Sequence, residues 1–203
     1  MKKNLLNLFY ISILPSIIIY LITIGISNLY KIKPILVIRD LAQTCGYPIG
    51  VGMISNFGIL LWGSSAAITL FVSISKLAER EVSKLLLMGG IFSTILCLDD
   101  FFLLHDRYIG PDFLYVSYIS MTILMSIKFW KFILRIGLLP ILFSLFFLSL
   151  SIFSDSTLQQ LFSKNYESIQ LFEEGVKFLG IACWLNFWWN ASIYSTKLKK
   201  VYG

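Results

Sequence analysis

Long apolar runs separated by short charged segments set the pattern of this chain, and about 20 apolar residues suffice to cross the hydrocarbon core of a bilayer as a helix. The first run is Leu8 to Ser27, with Pro15 placed to bend it. The second spans Asn56 to Ser75, the third Leu85 to His105 and the fourth Phe113 to Ile127. The fifth covers Phe132 to Phe153, where Pro140 is expected to kink the helix, and the sixth Glu174 to Tyr194. Only Lys128 to Lys131 separate the fourth and fifth runs, which predicts a tight helical hairpin there. The pattern therefore reads as an all-α polytopic integral membrane bundle of about six transmembrane helices.

Composition agrees with a lipid solvent. Hydrophobic residues make up 57% of the chain, charged residues only 14%, and the mean hydropathy is +0.80, far from the balance of an ordinary soluble domain. No Ser/Gly-rich or charge-rich linker divides the 203 residues, so 1–203 reads as one domain. The first run follows Met1-Lys2-Lys3 as a signal peptide would, but it is long and lacks a small-x-small cleavage pattern, so it is read as an anchor.

Charge sets the orientation. With the N-terminus inside, Lys2, Lys3, Lys76, Arg80, Lys84, Lys128, Lys131 and Arg135 fall on the cytoplasmic side together with Lys197, Lys199 and Lys200. Lys31, Lys33, Arg39, Arg107 and Lys164 fall outside. The positive-inside bias predicts cytoplasmic N- and C-termini in the cell (inner) membrane or an equivalent internal membrane. It also accounts for the net charge of +6. Basic residues spread over membrane-flanking loops do not make a nucleic-acid footprint, so the expected partners are the lipid bilayer and, within it, other copies or subunits, but no nucleic acid.

One stretch breaks the apolar pattern. "CLDDFFLLHD", Cys97 to Asp106, carries Asp99 and Asp100 just before the only histidine, His105, and "LFEEGVKFLG" carries Glu173, Glu174 and Lys177 at the start of the sixth run. The topology brings both to the outer side. On a continuous third helix Asp99 and Asp106 share one line, Asp99 and Asp100 point about 100° apart, and both lie about 8 Å below His105. Ionisable groups at such depth require partners or water and mark a candidate functional site by default. The bland alternative is a polar seam that fixes helix packing, with Lys177 paired to Asp99 or Asp100 and Arg107 to Glu174.

The catalytic candidates are therefore Asp99, Asp100, His105, Glu173, Glu174 and Lys177. Two close carboxylates resist joint ionisation, so one becomes usable as an acid or base near neutrality, with His105 as a relay. The same set suits a proton or ion path. A single histidine excludes the usual zinc hydrolase sites, but Asp99, Asp100, His105, Glu173 and Glu174 offer an oxygen-rich set for a divalent metal such as Mg²⁺, Mn²⁺ or Ca²⁺. Over five positions "EEGVK" resembles the glutamate motif of glutamate-dependent intramembrane proteases, without their later histidine and asparagine motifs. Ile54-Ser55-Asn56, Asp99 or Asp100, and Asn186-x-x-x-Asn190 resemble elements of the ceramidase-like membrane hydrolases, whose closing histidines are asparagines here, so the zinc chemistry would be absent. Neither resemblance assigns a family.

Cys45, Cys97 and Cys183 form an odd set and imply no disulfide framework. Asn28 to Ser55 is apolar enough to lie on the membrane as a lid over the acids, and Ser154 to Gln170 reads as a polar surface helix. The expected function is a small transporter, a proton- or ion-handling bundle or an accessory membrane subunit. The alternative is a membrane-embedded hydrolase acting on a lipid or peptide through paired carboxylates.

Overall fold

The computed structural model describes residues 10, 13–34, 36, 44–48, 50–75, 77–155 and 166–202. Every element among them is helical. The chain divides into two compact units, Met1–Val51 and Gly52–Gly203. In the first, α1 (Leu14–Leu29) begins with proline in its first turn, where a missing N–H costs no hydrogen bond. Residues 37–43 of the expected lid and residues 156–165 of the expected surface helix lie outside the described residues.

The second unit contains α2 (Met53–Ile74), α3 (Arg80–Phe102), the single turn α4 (Leu104–Arg107), α5 (Pro111–Ile136), α6 (Leu138–Phe153) and α7 (Tyr166–Tyr202). α7 packs between α2 and α6, while α3 lies along α2. Small residues permit this. A Cβ on Gly89 would stand 2.1 Å from the Trp188 ring, and one on Gly180 would stand 2.8 Å from the Leu148 side chain. Trp188, Trp184, Phe187, Leu85 and Leu86 fill the centre and are essentially inaccessible.

Several polar groups inside the bundle are satisfied locally. Ser65 donates to the Leu61 carbonyl and Thr69 to the Ser65 carbonyl, the back-bonding by which hydroxyls sit in helices without competing for water. Ser73 donates across to the Ser83 carbonyl, and Trp184 Nε1 donates to Ser93 Oγ at 2.9 Å, tying α2 to α3 and α7 to α3. The outward faces are the reverse: Phe71, Ile127, Leu139 and Phe146 are all exposed. α2, α3 and α5 are long and apolar enough to cross a membrane; α6 is apolar but shorter.

Three local expectations are corrected. The chain does not turn at Lys128 to Lys131. α5 continues past them through a kink at Phe129 (φ −114°, ψ 20°) and ends at Gly137. Lys128 to Lys131 kink the helix without reversing the chain, and the buried Phe129 and Ile133 hold it on either side of the bend; the turn falls where glycine supplies φ +132°. Pro140 accordingly sits in the first turn of α6 rather than kinking its middle. The third helix, for its part, stops at Phe102. Leu103 adopts a left-handed conformation (φ 53°, ψ 46°), and the chain restarts as α4, so Asp106 is not on the helical line of Asp99.

Candidate functional site

The break at Leu103 is held by Asp99. Its Oδ1 accepts the His105 backbone N–H at 2.9 Å, an N–H in the first turn of α4 that has no intrahelical partner. Thus Asp99 caps α4 from the preceding helix. The same oxygen lies 3.0 Å from His105 Nδ1. The fold-back therefore replaces the expected axial separation of about 8 Å with direct contact.

Asp100 points elsewhere. Its Oδ1 accepts Lys177 Nζ from α7 at 2.9 Å and its Oδ2 accepts Trp62 Nε1 from α2 at 2.9 Å. One carboxylate thus joins three helices. Lys177 spans to α3 rather than to Glu173 one turn away on its own helix. Arg107 is exposed.

These groups open onto one cavity of about 630 Å³, within the ~300–1,000 Å³ usual for small-molecule sites. α5 meets α3, α6 and α7 only sparsely, whereas α7 is tightly packed on α2 and α6. The space left between α5 and its neighbours is the cavity. Asp99, Asp100, His105, Glu173, Glu174 and Lys177 all line it. Glu173 is buried, with only 8% of its surface accessible.

Trp62, Tyr115, Tyr118 and Asp155 also line the wall and were not singled out from the sequence. Trp62 anchors Asp100; Tyr115 donates to Asp155 Oδ2 at 3.0 Å and its ring lies 6.2 Å from that of His105. Tyr118 stands beside Asp99, with its hydroxyl at that carboxylate. Aromatic side chains in apolar runs read as core, so spacing alone gave no signal for them. Asp155 sits in the polar segment after the fifth run and carried a weak one.

Asp99, Asp100 and His105 each bring one ligand atom to within 4.8 Å of the others. That donor set suits a hard divalent cation. Yet both Asp100 oxygens are already engaged, one by an ammonium, and an ion bound there must displace Lys177. What the arrangement does supply without rearrangement is a polar chamber where five carboxylates, counting Asp155, face one lysine.

No curated protein and no solved structure matched the chain. A family model described as Domain of unknown function (DUF8692) matches residues 16–191, most of the sequence, and the chain belongs to that family.

Proposed function

We propose that the protein is a multi-pass membrane protein that handles cationic groups in this cavity, at the outer ends of α3 and α7 if both termini are cytoplasmic. The single observation that carries the reading is the cavity itself: the acids border about 630 Å³ of open space instead of closing on one another as a dry seam. Membrane insertion is supported by the distribution of side chains, with serines, Thr69 and Asp99 buried and large apolar residues outward. Contiguous apolar surface of this extent is rare on water-soluble monomers and expected against lipid.

The test uses a membrane-permeant carbodiimide on protein in lipid nanodiscs, with adducts mapped by mass spectrometry. Modification of Asp99, Asp100, Glu173 or Glu174, reduced by added ammonium compounds or divalent metal, is expected. Modification of the exposed Glu81 alone would mean that the acids form a closed structural seam and that the protein acts as an accessory subunit.

A second reading, a lipid hydrolase, is favoured by the 3.0 Å contact between Asp99 and His105 at the cavity wall, a carboxylate–imidazole pair suited to general base work. Release of a soluble product from a lipid extract by wild type and not by Asp99→Asn would support it over simple binding.

A further inference from the structure

The cavity is not uniformly polar. Its residues sort by height along the helices that supply them. On α7, Gln170, Glu173, Glu174 and Lys177 come first, and Trp184 lies seven residues, about 10 Å, further along the axis than Lys177. On α3 the order runs the other way, from Phe92 and Leu96 up to Asp99 and Asp100. Ring contacts fix the register: Phe92 and Trp184 stand 5.7 Å apart, and Phe92 and Tyr118 5.9 Å apart. The carboxylates, Lys177 and His105 thus form one end, while Phe92, Leu96, Ile123, Leu145, Leu148 and Trp184 form the other.

A small inorganic cation has no use for the second half. Water held there would gain few hydrogen bonds, and an alkyl chain placed there would be stabilised by roughly 0.8 kcal/mol for each buried methylene relative to water. Charge selects the head: with Asp100 paired to Lys177, Asp99, Glu173, Glu174 and Asp155 still border the chamber beside His105, an acidic excess that favours an ammonium over a phosphate or carboxylate. Tyr118 lines the cavity between the two halves, its ring against Phe92 and its hydroxyl beside Asp99. α5, the most loosely docked of the long helices of the second unit, forms the wall through Ile119 and Ile123, each about half exposed.

We infer that the ligand is a single-chain amphiphile with a cationic amine head, its ammonium bordered by Asp99, Glu173 and Glu174 beside the Asp100–Lys177 pair, and its chain between α3, α5 and α6. This rests on the cation-handling reading above and names the ligand class.

The experiment measures quenching of tryptophan fluorescence in nanodiscs by dodecylamine brominated at the chain end. Dodecanol brominated at the same place serves as the partition control and unbrominated ethylammonium as a competitor. Expected is a saturable quenching component with the amine, absent with the alcohol, and removed at least tenfold more effectively by unlabelled dodecylamine than by ethylammonium. Asp100→Asn should weaken it about tenfold. Thr122→Phe, which narrows the apolar half from the loosely packed α5, should reduce quenching by the amine while leaving carbodiimide modification of the acids unchanged. Equal, non-saturable quenching by amine and alcohol overturns the inference. So does ethylammonium competing as well as dodecylamine; in that case cation binding stands and the amphiphile fails. Loss of carbodiimide reactivity in wild type instead removes the cation-handling reading.

Discussion

Asp99 and Asp100 are adjacent in sequence but serve different elements, one shaping a turn and the other joining helices. Asp99 holds the left-handed Leu103 break by accepting the His105 amide. A left-handed conformation costs a branched residue roughly 1–2 kcal/mol, and a hydrogen bond to a charged acceptor contributes about 1.5–3 kcal/mol, enough to hold the turn. Asp99→Leu should therefore speed hydrogen exchange at the His105 amide by about tenfold or more, while Asp99→Asn, which keeps a carbonyl acceptor in place, should leave it within a few-fold of wild type. Equal protection in both variants would show that the turn does not depend on this acceptor. The acids were legible in the sequence because charge inside an apolar run is conspicuous. Their partners were not: Trp62 and Tyr118 are chemically compatible with a plain apolar core, and only tertiary packing turns them toward a carboxylate.

At the scale of elements, apolar runs located the long helices of the second unit but not their ends. Charge at Lys128 and Lys131 suggested a turn, yet charged residues are good helix formers and the backbone turns where φ +132° is required, at Gly137. The packing of α3 on α7 depends on Gly89, whose missing side chain receives Trp188. Gly89→Ala forces that ring, fully buried among its neighbours, to move, and overpacking of this kind costs about 1–3 kcal/mol. Gly175, on the exposed face of α7 with no atom within 4 Å of where a methyl group would stand, provides the contrast: Ala there should be neutral or stabilise by up to about 1 kcal/mol through helix propensity. Thermal unfolding in one detergent compares them. A Gly89→Ala midpoint equal to that of Gly175→Ala would mean that α3 and α7 are not in close contact.

For the whole molecule, the decisive feature is that large apolar side chains cover the outward faces while hydroxyls, Asp99 and Glu173 join the aromatic core inside. Hydropathy made the apolar exterior legible early, because it reads outward and inward apolar residues alike; the cavity was illegible because it arises from how loosely α5 docks, which no single helix encodes. The orientation rests on the lysine and arginine bias alone, and it can be checked with cysteines. Cys45 is exposed in the segment between α1 and α2, and Ser75 is exposed at the opposite end of α2. In a Cys97→Ser, Cys183→Ser background, an impermeant maleimide should label Cys45 in intact spheroplasts, whereas Ser75→Cys should be labelled only after permeabilisation. Ser75→Cys labelled first would invert the topology and move the acidic cavity to the cytoplasmic side, so that its ligand would be drawn from the inner leaflet. Labelling of both without permeabilisation, together with release of the protein by alkaline carbonate, would mean that α2 does not span a bilayer and that its apolar faces are covered by protein instead.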